Sequence, residues 1–142
     1  MMRKTVQETT KFVIHADGGS RGNPGKSAIG VVIEDARGRV VERIARRISD
    51  GTNNEAEYKA AIAGVEHAAM LGAQEVVLMC DSELMARQIT GEYRVKARNL
   101  ALLRAVLMHT LARIPKWSVK HVPREMNAEA DALLNYVLDQ QD

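Results

Sequence analysis

The sequence predicts an α/β domain on a mixed five-stranded sheet, three antiparallel strands then two parallel ones, flanked by helices. Three observations point there. Apolar, β-branched runs separated by Gly-containing turns fill the first third of the chain. Helical periodicity takes over after residue 52. Two further short apolar runs then follow, each reached through a helical segment, as parallel strands require.

Taken in order, residues 12–16 (FVIHA) read as a strand ending at Asp17. The Gly, Asn, Pro and Ser of GGSRGNPGKS demand a turn. Residues 28–34 and 39–48 are β-branched runs joined by DARG, a hairpin. Thr52-Asn53-Asn54 supplies a helix start, with Tyr58, Ala61, Ile62, Val65 and Ala69 on one face and Gly72 as the stop. Residues 76–80 (VVLMC) form a strand apolar enough to be buried on both faces, ending at Asp81. Ser82 caps a short helix through Ile89, which Gly91 ends. A helix over residues 97–113 carries Leu100, Leu103, Leu107, Leu111 and Ile114 on one stripe, and Pro115 closes it. Residues 117–122 are the fifth strand. Asn127 starts a last helix with Ala130, Leu134, Val137 and Leu138 facing inward.

With 142 residues the chain suits a single domain over 11–142, behind a flexible tail over 1–10. One cysteine, Cys80, excludes an internal disulfide framework and any multi-Cys zinc site. No apolar run approaches the ~18 residues of a membrane span. MMRKTVQETT has no apolar stretch behind its positive charges, so it is no secretory signal. The expectation is a cytoplasmic protein without a membrane partner. A net charge of +2 singles out no ligand, and one Phe, one Trp and three Tyr are too few for a base-stacking platform.

Most acidic residues read as surface charge, but Asp17, Glu57, Asp81 and Asp131 fall at strand ends and helix starts that meet at one sheet edge. Singly, each is best read as a cap or an Arg partner. Together they would repel and raise one another's pKa, and hard divalent cations relieve that. Paired Mg²⁺ ions are the usual device for cutting or making phosphodiesters. With those carboxylates neutralised, the remaining surface is distinctly basic and suits a polyanion. Gly25-Lys26-Ser27 matches the tail of a phosphate-binding P-loop. Its first glycine falls one place out of register, at Gly19, and a β pattern follows where a helix is required, so that reading fails.

The four acidic motifs together resemble type 1 ribonuclease H over nearly the whole chain. They are DGGSRGNPG with Asp17, TNNEAEYKA with Glu57, MCDSELM with Asp81 and HVPREMNAEADAL with Asp131. The resemblance implies the ribonuclease H-like fold and an endonuclease that cuts the RNA strand of an RNA/DNA hybrid, leaving 5′-phosphate and 3′-hydroxyl ends. It implies that Asp17, Glu57, Asp81 and Asp131 hold two Mg²⁺, or Mn²⁺, one activating water and one stabilising the leaving oxygen. Substrate contacts are expected from Gly18, Gly19, Ser20, Asn23, Thr52, Asn53 and Asn54. The glycines would let backbone approach the 2′-hydroxyl, and the asparagines offer donors and acceptors. A plain helix cap is the competing role for Asn53.

Two departures from the family pattern stand out. Many relatives carry a basic handle between the second and third helices. Here only GEYRVKARN lies there, offering Arg94, Lys96 and Arg98, so a shallow salt slope is expected. No separate hybrid-binding domain is expected at the N-terminus. Relatives also often place a mobile His in the last loop. His121 has a suitable spacing but lies in strand pattern, so Arg124, in the loop itself, is the preferred contact for the scissile phosphate. His15 shares a strand face with Asp17 and reads as an ordinary packed residue. His67 and His109 read as exposed helix residues, Cys80 as a buried small hydrophobe and Trp117 as a core anchor. The alternatives are a nuclease that also cuts double-stranded RNA, a non-catalytic nucleic-acid-binding domain of this fold, and an integrase-like enzyme acting on DNA. No obligate protein partner is evident, and a monomer is expected.

Overall fold

The computed structural model describes residues 10–140. The expected tail, apart from Thr10, lies outside them. The strands are β1 (Lys11–Arg21), β2 (Gly25–Asp35), β3 (Val40–Gly51), β4 (Glu75–Cys80) and β5 (Lys116–His121). The helices are α1 (Asn53–Met70), α2 (Glu83–Ile89), α3 (Arg98–Leu111) and α4 (Ala128–Asp139), with a 3-10 turn over Arg124–Asn127. The sheet order is β3-β2-β1-β4-β5. Pairing is antiparallel for β1 with β2 and β2 with β3, and parallel for β1 with β4 and β4 with β5. The predicted fold class and element order are both present.

The glycine segment departs from its expected reading as a turn. β1 runs on through Arg21 and β2 begins at Gly25, so only 22–24 turn. The antiparallel ladder explains this. Gly18 pairs with Ile29, Gly19 with Ala28 and Ser20 with Ser27, which satisfies backbone groups that a loop would leave to water. Asp17 is therefore in mid-strand rather than at a strand end. It nevertheless lies past the last β1–β4 pair, His15 with Met79, so it stands where β1 has outrun its parallel neighbour. Gly25, Lys26 and Ser27 open a strand, which disposes of the P-loop.

The main core lies between the sheet and the α1–α3 layer. Phe12, Ile14 and Ala16 of β1, Ile29, Val31 and Ile33 of β2, and Leu78 of β4 meet α1 and α3 there. Helix α1 is buried on more than the one face expected. Ala56, Tyr58, Ala60, Ala61, Ala63, Gly64, Val65 and Ala68 are all covered, because the sheet takes one side and α3 another. Alanines and Gly64 make that fit possible. A Cβ on Gly64 would lie 2.6 Å from Ile14 Cγ2. Within this layer the Tyr58 hydroxyl donates to Gln88 Oε1 at 2.7 Å, both groups buried. Leu100, Leu107, Leu111 and Ile114 of the expected stripe are buried and Leu103 partly so. Trp117 packs against the core's edge.

Helix α4 covers the opposite sheet face alone, on a small cluster of Ala28, Leu134 and Leu138 with Val137 beside it. Caps follow local chemistry. Thr52 and Glu55 form a capping box on α1, Ser82 caps α2, and Gly72 and Gly91 take positive φ just after their helices. His67 is not freely exposed as expected: it sits 3.3 Å from Glu42 on the neighbouring strand. Among the described residues no helix is long and apolar enough to cross a membrane.

Candidate active site

Each acidic side chain is delivered by a different element. Asp17 comes from β1, Glu57 from the second turn of α1, Asp81 from the residue after β4, and Asp131 from the first turn of α4. Carboxylate oxygens of Asp17, Glu57 and Asp81 lie within 4.8 Å of one another. Asp131 joins from the other sheet face, close enough that its carboxyl raises the pKa of Asp17. All four line one cavity of about 420 Å³, together with Gly18, Gly19, Ser20, Arg21, Asn53, Asn54, Ser82 and Arg124.

Helix α1 can bring Glu57 this close because β1 is bare beside Asp17. A Cβ on Gly18 would lie 2.1 Å from Ala56 O and 2.6 Å from Glu57 N. Gly18 was expected to open the backbone to substrate. Its missing side chain makes room for the helix instead, and that of Gly19 faces Leu134 of α4.

Burial sets the electrostatics. Asp17 is 7% exposed. Burial first, then the charge of Asp81 and the hydrogen bond and charge of Asp131, push its pKa up to about 8. Glu57 is pushed up to about 7, by burial and then by Asp81, against the opposing pull of a Ser82 hydrogen bond and the Arg124 charge. Asp81 is raised chiefly by burial, with Arg124 and His121 pulling it down. Asp81 Oδ2 is buried without a hydrogen bond, and Arg124 Nε lies 3.9 Å from it.

The two candidates for the last loop separate clearly. Arg124 lies at the cavity rim with its side chain 83% exposed. His121 is the last residue of β5, paired with Cys80, and does not line the cavity. Cys80 is buried and its thiol is pushed up to about 12, first by burial, as suits a small core residue.

The expected substrate contacts divide in two. Gly18, Gly19, Ser20, Asn53 and Asn54 line the acidic cavity. Asn23 and Thr52 line a neighbouring depression with Asn53, Asn54 and Asn99. Asn53 is not the helix cap, since Thr52 accepts from Glu55 N in that role. Asn53 Oδ1 accepts from Ser20 N at 2.7 Å, and Asn23 Oδ1 accepts from Asn53 N at 2.9 Å. The Ser20 hydroxyl donates to Gly51 O at 2.7 Å. These bonds stitch the β1–β2 hairpin to the start of α1, so the asparagines shape the mouth as well as line it. In the expected handle region Arg87 stacks on Tyr93 at 5.5 Å, and Arg94, Lys96 and Arg98 are exposed.

Sequence reasoning missed Gly30, Asn127 and Asn135. Asn127 was read as the start of the last helix, but its side chain makes no cap bond. It reaches across to β1, because the 3-10 turn before α4 carries it over the sheet. Gly30, inside a β-branched run, was the one available signal for a close backbone approach.

The geometry has close counterparts. The reverse transcriptase-like family model matches residues 15–137. Ribonuclease HI of Halobacterium salinarum is 41% identical over 128 residues, 89% of this chain. The chain spans 64% of that relative's length. The crystal structure of RNase H1 from the same archaeon superposes with a TM-score of 0.89 at 40% identity, covering 91% of this chain and 98% of that one. LC11-RNase H1 in complex with an RNA/DNA hybrid superposes at 0.84 with 42% identity, covering 88% and 94%. Four acidic positions on four elements, in one fold and at this level of identity, place the chain in the ribonuclease H1 family.

Proposed function

We propose that the chain is a divalent-metal-dependent endoribonuclease that cuts the RNA strand of RNA/DNA hybrids, leaving 5′-phosphate and 3′-hydroxyl ends. The observation that carries this is the convergence of Asp17, Glu57 and Asp81 within 4.8 Å, with Asp131 lining the same cavity. The donor set fits hard cations. It is all oxygen, it includes a buried Asp81 Oδ2 with no hydrogen bond, and its carboxyls are driven up by one another's charge. Mg²⁺, or Mn²⁺, held by Asp17, Glu57, Asp81 and Asp131 would supply the Lewis-acid charge that activates water and steadies the leaving 3′ oxygen.

The remaining work falls to the chain's own groups. Ser82, beside Glu57 on the cavity wall, favours its ionised carboxylate. Arg124, exposed at the rim, carries a guanidinium suited to the scissile phosphate. Ser20, Asn53 and Asn54 present polar groups where a 2′-hydroxyl would distinguish RNA from DNA. A relative captured with a hybrid supports that substrate.

The test uses four end-labelled duplexes of one sequence: RNA/DNA, RNA/RNA, DNA/DNA, and DNA with one embedded ribonucleotide. Each is incubated with Mg²⁺, Mn²⁺ or EDTA. Cleavage confined to the hybrid's RNA, dependent on metal and lost in Asp81→Asn, is the expected result. Cutting of RNA/RNA would broaden the specificity. Hybrid binding with no cleavage under any condition would overturn the reading.

A further inference from the structure

One side chain joins the beginning of α4 to the centre of the sheet. Asn127 is 1% exposed. Its Nδ2 donates to the carbonyl of Ala16 at 2.8 Å, a bond between residues 111 apart in sequence. Ala16 immediately precedes Asp17, and Asp131 lies one helical turn beyond Asn127. The bond thus ties together the backbones that carry two acids of the one cavity, Asp17 and Asp131.

A second contact acts on the same helix. Gly30 is the cross-strand partner of Asp17. A Cβ there would lie 2.0 Å from Ala130 O and 2.9 Å from Leu134 N. The bare backbone lets α4 rest directly on β2, at the residue before Asp131. The helix is therefore located from two directions, each next to a carboxylate.

The other end of the Asn127 amide is also buried. Its Oδ1 and His15 Nδ1 both lack a protein partner, and both residues line a cleft of about 80 Å³ with Val32, Glu34 and Glu129. His15 Nε2 is 3.3 Å from Glu34 Oε1.

We propose that Asn127 is a positioning residue for the acidic site. Through Ala16 it holds α4 against β1 so that Asp131 meets Asp17. Gly30 makes the approach possible and His15 shares the polar cleft behind it. The inference rests on the metal-dependent reading of the site, but the clamp can be tested without cleavage.

Asn127→Ala and the milder Asn127→Ser are compared with wild type and with Leu111→Ala, a core change on the other side of the sheet. All are studied well below their Tm. Calorimetric titration of the protein with Mg²⁺ alone should show affinity about 10–100-fold weaker in Asn127→Ala, the range for lost supports of metal ligands. The effect should be smaller in Asn127→Ser, and Leu111→Ala should match wild type. In metal-free protein, amide exchange over residues 129–134 should speed up only in the Asn127 variants. On the hybrid, kcat should fall with Mg²⁺ affinity while KM stays within about twofold.

Mg²⁺ affinity and local exchange indistinguishable from Leu111→Ala would overturn the proposal. If Asn127→Ala does not fold, Asn127→Ser and the exchange of the wild-type Asn127 side-chain amide decide. Rapid exchange of that amide in metal-free protein refutes the clamp. A wild type that cuts no duplex would sink the activity reading while calorimetry and exchange still judge the clamp.

Discussion

Asp17→Asn should stabilise the metal-free protein, although it removes the most buried acid of the site. In the folded state the Asp17 carboxyl titrates at about 8, against 3.8 for the free side chain. Between those values the unfolded chain has released the proton and the folded chain retains it. Stability falls with rising pH wherever the folded state binds more protons. The stabilising share is fully present below about pH 4 and is lost progressively until about pH 8. Each pH unit across such a window is worth about 1.4 kcal/mol, so the ceiling is about 6 kcal/mol. Asp17 is only 7% exposed, so solvent screens little of this, but local relaxation lowers it to roughly 2–4 kcal/mol.

An amide at this position keeps the shape, but it never ionises. At roughly 3 °C per kcal/mol for a domain of this size, the Tm of Asp17→Asn in EDTA at pH 8 should exceed wild type by roughly 5–12 °C. The gap should close by pH 4. Mg²⁺ should raise the wild-type Tm much more than the variant's, since cation binding to the folded state is linked to stability. The assay is thermal unfolding by circular dichroism over pH 4–8, with EDTA or Mg²⁺. An equal or lower Tm for the variant at pH 8, or a gap that does not change with pH, would refute the electrostatic account.

Other substitutions test separate parts of the argument. Gly18→Ala places a methyl 2.1 Å from Ala56 O, and backbone cannot yield as a side chain can. It should cost roughly 2–3 kcal/mol in urea unfolding and abolish measurable cleavage, because α1 must carry Glu57 away. Tyr58→Phe leaves the buried Gln88 Oε1 without its donor and should cost about 1–2 kcal/mol with kcat unchanged, as steady-state kinetics on the hybrid would show. Arg124→Ala should lower kcat/KM on hybrid about tenfold or more and leave the Tm within a degree or two, since its side chain is largely exposed. Arg124→Lys should recover only part of that loss, a point charge replacing a planar fork.

Much of the architecture was legible because periodicity reports burial directly. The unbroken run of β2, buried from Ser27 to Ile33, and the leucine stripe of α3 state which faces are covered. Glu57, Asp81 and Asp131 were legible through their positions near element ends, whereas Asp17, expected at a strand end, lies within β1. The misreadings have one physical source: residues with little side chain look alike whether they turn the chain or admit a neighbour. Gly18 and Gly19 read as loop, yet they are strand residues made bare for α1 and α4. Gly30 gave the same signal inside a strand. Whether helix α1 is covered on one side or more depends on where α3 lands, which its own sequence does not encode. Asn127 was read as the start of the last helix, and a cap was the competing role for Asn53. Thr52 took the first cap because Glu55 completes its box. Asn127 was drawn away by a carbonyl 111 residues distant, a contact with no local signature.

The two sides of the sheet divide stability from chemistry. Three of the acids ride on elements anchored in the large core: β1 and β4 within the sheet, and α1 sandwiched beneath α3. Their mutual repulsion is borne by packing that does not depend on the site. Asp131 is different. Its helix rests on Ala28, Leu134, Leu138 and Val137, with ion pairs from Arg21 to Asp139 and Arg43 to Glu129 at its borders. Exposed pairs of that kind contribute about 1 kcal/mol or less. The Asp131 carboxylate meets Asp17 across this thin contact, so as pH rises and Asp17 ionises, repulsion acts on the helix least able to resist it. The Asn127 bond and the bare Gly30 lie where that force is applied, and a cation bridging the acids would reverse its sign. Local stability of α4 is thus coupled to the charge state of the site in a way that α1, held on more than one side, is not.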